Sequence, residues 1–263
     1  MQKQNIRVRM KEGEKVFGIH TANHLSAHTA TRLAKTGLDF VFIDTEHTPL
    51  DRESVSEMCC FYSAHGVSPA VRTPYVNRHW ISMTMDAGAE GIVVPYVETV
   101  EEVKEIIQSV KLRPLKGQRA REHTTGEKPL RDAALEYLQK WNQNNYVLIG
   151  VESVAAVENL DSLIAVEGLD GIFIGPHDLS ISMEMPEQYN HPEYLQTVEA
   201  VISRASGAGL IVGMHVQPKQ DPMTRLHKWM KLGLNWIVYS SDAAILVDSV
   251  QTQITRMKSL QPD

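Results

Sequence analysis

The chain has 263 residues, 43% hydrophobic and 22% charged, a composition that suits one globular domain with a sizeable core. Its 32 acidic and 26 basic side chains give a net charge of −6, which leaves no basic stripe for nucleic acid. The only cysteines, Cys59 and Cys60, are neighbours, no apolar run reaches about 18 residues, and MQKQNIRVRMKEGEK lacks an apolar leader; a disulfide framework, a thiolate zinc site and a membrane partner are excluded, and a soluble, cytoplasmic protein is expected.

Short apolar, β-branched runs separated by longer stretches of helical spacing predict strands. In chain order these are VFGIH (16–20), DFVFID (39–44), SPAVR (68–72), EGIVVP (90–95), YVLIGVE (146–152), DGIFIG (170–175), LIVGMH (210–215) and NWIVYS (235–240). A segment able to form a helix follows each one. Eight such units in about 250 residues predict a TIM (β/α)8 barrel, with residues 1–263 as a single domain. Gly37, Gly66, Gly88, Gly168, Gly209 and Gly233 stand where a helix should end, in the left-handed conformation that glycine adopts freely. The longest strand-free segment, 113–145, holds KGQRAREHTTGEK and a helical RDAALEYLQKWNQ, and is expected to be an active-site cover or an oligomer contact.

Barrel enzymes place their chemistry at the C-terminal ends of the strands. Here those ends carry Asp44, Glu46 and His47, then Arg72, Glu152, Asp178 and His215. Glu152 and Asp178, from adjacent strands, predict oxygen ligands for a hard divalent cation, with an acid/base group beside them. The competing reading for each is a cap on the following helix. Arg72 can hold a substrate oxygen and offset developing negative charge, or anchor the rim as an ion pair. His47 lies three residues from Asp44, a spacing at which the aspartate can orient the imidazole. Glu46 suits a substrate contact or a supporting role, whereas His20, His24 and His123 read as solvated or structural, and Trp80, Met83 and Met85 as helix packing. No phosphate loop, dinucleotide fingerprint or serine elbow is present, and no strand-end lysine offers a Schiff base.

Three segments in order, FVFIDTEHTPLD, VRTPYVNRHWISMTMDAGAEGIVVPYVETVEEV and VLIGVESVAAVENLDSLIAVEGLDGIFIGPHDLSISM, resemble the HpcH/HpaI family. These are metal-dependent class II pyruvate aldolases of the 4-hydroxy-2-oxoheptanedioate and 2-dehydro-3-deoxyglucarate group. The most specific part is a glutamate after strand five joined to GLDGIFIGPHDLS after strand six. The resemblance implies a barrel of the phosphoenolpyruvate/pyruvate type, in which Glu152 and Asp178 bind magnesium, manganese or cobalt and the metal chelates a 2-oxo acid. It implies further that Arg72, Gly175, Pro176 and His177 contact that substrate, and that His47, oriented by Asp44, moves the proton of the aldol hydroxyl. Asp86, in MTMDAGAEG, would complete the relay across a subunit boundary, its alternative being a hydrogen bond at a helix end. The implied reaction is reversible cleavage of a 4-hydroxy-2-oxo acid to pyruvate and an aldehyde. Oxaloacetate decarboxylation, malyl or citryl thioester cleavage, and binding without turnover are the alternatives on the same scaffold.

Related barrels exchange their last helix to form trimers or hexamers, and the apolar spacing of DAAILVDSVQTQITRMKSL suits that role. Three positions depart from the family pattern. Gly150 replaces a common glutamine and removes a hydrogen bond near the metal. His177 replaces a small residue, where it could narrow the pocket, add a polar contact or face the rim. Ala120 replaces a glycine of the long loop.

Overall fold

The computed structural model describes residues 5–21, 27–217 and 222–260, so His24 lies outside the described residues. Eight parallel strands close into a barrel in sequence order: β1 (Val16–Thr21), β2 (Phe40–Asp44), β3 (Ser68–Arg72), β4 (Gly91–Val94), β5 (Tyr146–Val151), β6 (Gly171–Ile174), β7 (Ile211–Val216) and β8 (Trp236–Ser241). This is the expected TIM barrel, and no predicted strand boundary is off by more than one residue. Helix α1 (Ile6–Lys11) precedes β1, and α2 (Ala27–Leu33), α3 (Arg52–Ala64) and α4 (Arg78–Asp86) follow β1, β2 and β3. Between β4 and β5 lie α5 (Val100–Lys111), α6 (Gly117–Thr124) and α7 (Asp132–Trp141). Helices α8 (Val154–Glu158) and α9 (Leu160–Ile164) follow β5, and α10 (Pro176–Ser182) and α11 (Pro192–Gly207) follow β6. The chain closes with α12 (Met223–Leu232) after β7 and α13 (Asp242–Lys258) after β8.

Alternate residues of each strand face opposite sides, and both sides are buried. Inside the barrel Phe40, Phe42, Tyr146, Phe173 and Trp236 pack with smaller residues, Phe40 stacking on Trp236 at 4.2 Å between ring centres. A larger core lies between the sheet and the helices. The interior is filled, so chemistry is confined to the barrel ends. All six helix-ending glycines have positive φ, from 75° to 123°. Gly233 is also sterically required, since a Cβ there would come within 2.0 Å of Ser206 Oγ.

Three features depart from, or add to, the sequence reading. Helix α1 was not anticipated; Asn5 caps it, and Ile6 and Met10 join the barrel-interior core. The 113–145 segment packs against α5, where His123, Thr124, Leu135 and Leu138 line a groove with Lys104 and Ile107. Its ends are tied together where the strands begin, Asn142 Nδ2 donating to the carbonyls of Lys111 (2.9 Å) and Arg113 (2.8 Å). Helix α13 has no buried residue, and Leu246, Val247 and Val250 are more than half exposed. No described helix is long and apolar enough to cross a membrane.

Candidate active site

Asp44 and Arg72 end adjacent strands in register. Arg72 Nε donates to Asp44 Oδ1 at 2.9 Å and Nη2 to Oδ2 at 2.7 Å, a bidentate pair, while Nη1 lies 3.2 Å from Glu46 Oε2. The guanidinium sits over the Phe42 ring at 5.4 Å. Burial alone would raise the Asp44 pKa, but the contacts with His20 and Arg72 outweigh it and hold the carboxyl well below the usual range. The rim-anchoring role of Arg72 is therefore real, and it leaves the guanidinium fixed in place at the barrel mouth.

Glu152, just beyond β5, is almost wholly buried and does not cap the next helix; Ser153 does, accepting from Ala156 N–H at 3.1 Å. Its Oε2 accepts from the backbone N–H of Tyr96 at 2.9 Å, whereas Oε1 is buried with no hydrogen-bond partner. Burial lifts its pKa to about 7; Arg72 and the Tyr96 N–H oppose the shift, and Asp178 and Glu46 add to it. Glycines flank this carboxylate. A Cβ on Gly175 would lie 2.2 Å from Oε1, and one on Gly150 would lie 2.8 Å from Oε2 and 2.9 Å from Pro95 Cα. With Glu152 so placed, position 150 has no room for a glutamine.

Asp178 is the third residue of α10, behind Pro176 and His177, and the N-cap of that helix is Gly175, so Asp178 is not the cap either. His177 is 61% exposed on the rim, its Nδ1 3.9 Å from Asp178 and its Nε2 4.0 Å from Glu187. Burial also raises the Glu46 pKa, against Arg72 and His47 and with help from Asp44 and Asp178. Glu46 Oε2 is a second buried oxygen without a hydrogen bond. Glu46 and Glu152 thus crowd around one guanidinium already committed to Asp44, with Asp178 close enough to act on both carboxylates. Such a surplus of hard oxygen donors, with Glu152 Oε1 buried and unpartnered and Glu46 Oε2 held only by its ion pair with Arg72, fits a divalent cation. Among the described residues no three His, Cys, Asp or Glu side chains form a ready-made metal cage.

One expectation needs correction. Asp44 does not orient His47: Asp44 faces inward to Arg72 and His20, whereas His47 lies in the turn beyond β2, 58% exposed, with Nε2 3.6 Å from Glu46 Oε2. Asp86 is not brought to this mouth by its own chain. It ends α4 at the opposite end of the barrel, paired with Arg113. Two contributions went unseen in the sequence. The Tyr96 N–H is a backbone group and leaves no trace in residue identity. His20 sits inside the mouth, 3.5 Å from Asp44 Oδ2, and its alternation with inward-facing Gly18 was the available signal.

The model of the HpcH/HpaI aldolase/citrate lyase family matches residues 21–238. The chain belongs to this family. It is accordingly a carbon–carbon lyase of the aldolase kind, in a family of class II aldolases that generally depend on a divalent metal. The chain is similar to the 2-keto-3-deoxy-L-rhamnonate aldolase of Salmonella dublin, 29% identical over 252 residues that cover 96% of this chain and 92% of that one. Among solved structures it resembles the HpcH/HpaI aldolase of Desulfitobacterium hafniense DCB-2, with a TM-score of 0.83, 26% identity and 98% of both chains covered. It also resembles the citrate synthase SbnG, with a TM-score of 0.81, 25% identity, and 97% of this chain and 98% of that one covered.

Proposed function

We propose that this aldolase-family enzyme reversibly cleaves a 4-hydroxy-2-oxo acid into pyruvate and an aldehyde. The observation that carries the reading is Glu152, a buried carboxylate with one unpaired oxygen, in the same acidic cluster as Asp178. These two side chains would hold magnesium, manganese or cobalt, which when bound polarises a 2-oxo carbonyl and offsets enolate charge. Cleavage breaks the bond between C3 and C4. Its electron pair passes to C3 and the C2 oxygen, the C4 hydroxyl loses its proton and becomes the aldehyde carbonyl, and a proton added at C3 completes pyruvate.

Arg72, held rigid by Asp44, presents its guanidinium to the oxygen on which charge develops, at no cost of reorganisation. His47, beside Glu46, accepts the C4 hydroxyl proton. The turn of Gly175, Pro176 and His177 lines the substrate, and Asp86 reaches the relay only from a second copy of the chain. Removing divalent metal with a chelator should reduce pyruvate release to background, and magnesium, manganese or cobalt should restore it. Full activity after chelation would overturn the mechanism.

The likeness to a citrate synthase favours a second reading in which the same enolate chemistry serves oxaloacetate or a malyl or citryl thioester. A panel scored for pyruvate, carbon dioxide and free thiol separates these routes. The exposed apolar stripe of α13, with Ile245, Leu246, Val250, Ile254 and Met257, supports exchange of that helix between copies in a trimer or hexamer. Light scattering should find no monomer. The free thiols Cys59 and Cys60 agree with a cytoplasmic location.

A further inference from the structure

Across the mouth from Glu152, strands β1, β7 and β8 bring two imidazoles together. His20 and His215 meet edge to face at 5.5 Å between ring centres, and His20 also packs against Phe42 at 5.8 Å. Arg72 lies over that same Phe42 ring. Phe42 thus touches both the guanidinium and His20. The local strand geometry is irregular: the pairing of β1 with β8 shifts register between Gly18 and His20, and Ser240 takes φ of 58°. Such bulges re-aim side chains and carbonyls beside active sites. Here the Ser240 carbonyl lies 3.3 Å from His215 Nε2, with the Gln217 amide at 3.1 Å.

His20 Nε2 is buried and has no hydrogen-bond partner among the described residues, with Asp44 Oδ2 3.5 Å away. Burial, and the nearby His20 ring, hold the His215 pKa down at about 4, so that ring is neutral. With its one N–H at Nε2 given to the Ser240 carbonyl, this ring keeps an acceptor at Nδ1, and the unpartnered His20 Nε2 supplies a second polar atom, so the pair can meet a hydroxyl group, which both donates and accepts. The remaining charged groups acting on His215 are Arg72 and Asp44, which are committed to each other. A distal carboxylate would therefore meet no free cation among the described residues of this wall.

We infer that His20 and His215 form the wall that recognises the half of the substrate that becomes the aldehyde, and that it selects a neutral, hydroxylated aldehyde over an apolar or carboxylate-bearing one. This rests on the lyase reading above. The test is aldol addition of pyruvate, with magnesium, to glyceraldehyde, butanal and 4-oxobutanoate. In the unaltered enzyme kcat/KM for glyceraldehyde should exceed both others by at least about tenfold, the worth of one hydrogen bond. His20→Phe and His215→Leu should each shrink that ratio several-fold, chiefly through KM, and His215→Gln should retain more of it than His215→Leu. A ratio between aldehydes is insensitive to a general loss of folded enzyme.

Equal use of the three aldehydes by the unaltered enzyme would overturn the wall even if every variant failed to fold. So would a ratio unmoved in both apolar variants. Metal-dependent hydrogen–deuterium exchange at C3 of pyruvate involves the pyruvate half alone. Its absence would sink the lyase reading itself, whereas its presence without discrimination would sink only the wall.

Discussion

Where the strands begin, Asp170 is as buried as Glu152, yet it accepts from Arg7 Nε at 2.8 Å and from the Val147 N–H at 3.1 Å, with Lys111 and Lys11 also against it. Asp39 at the same end accepts from Arg9 at 2.8 Å and from the Phe17 N–H at 3.0 Å. Where the strands finish, Glu152 receives a single backbone N–H, and the local guanidinium is occupied by Asp44. Asp170 is supplied with its own cations, whereas Glu152, equally buried, has no cation of its own. Counter-ions supplied by the chain make a carboxylate structural, whereas a deficit of them leaves it for a cation from outside.

Exchanging each acid for its amide should expose this contrast. Glu152→Gln should lower turnover by roughly 10³-fold, the worth of several kcal/mol of transition-state charge stabilisation. The metal-free variant should melt no lower than the parent, because a buried charge without a full set of partners has been removed. A clear drop in its melting temperature would break the comparison. Asp170→Asn should do the reverse. It strands the cations of Arg7 and Lys111 against a neutral amide, and should cost about 3 kcal/mol in urea denaturation, while activity at permissive temperature survives.

A smaller effect, on the order of 1 kcal/mol, should come from His215. Its folded pKa, about 4, lies below the ordinary 6.5, so between these values the unfolded chain binds a proton that the folded chain refuses. Stability from this group is complete above about pH 6.5 and is lost as the pH falls toward 4. His215→Leu should flatten that limb in denaturation series run from pH 5 to pH 7. An unchanged acid limb would show that the imidazole is charged in the folded enzyme.

The barrel is legible in the sequence because its strands are buried on both faces, so each is an unbroken apolar run between glycine-ended helices. Glu152 and Asp178 are legible for a related reason: carboxylates one and four residues beyond such runs stand where the chain leaves the barrel mouth. Helix α1 was not, since its two buried residues, Ile6 and Met10, are too few to set up a period.

What only the tertiary structure decided is which charged groups meet. Asp44 is three residues from His47 yet pairs with Arg72, 28 residues away, because a strand's last inward residue faces its neighbour's while the turn beyond faces solvent. Asp86 pairs with Arg113 at the far end because helices run back antiparallel to the strands they follow. Sequence alone therefore determined the scaffold and the family, through patterns of burial that are local along the chain. The pairing of Asp44 with Arg72, the orphaned oxygen of Glu152 and the meeting of His20 with His215 depended on barrel closure, which brings β1 beside β8 and sets the counter-ion supply at each end.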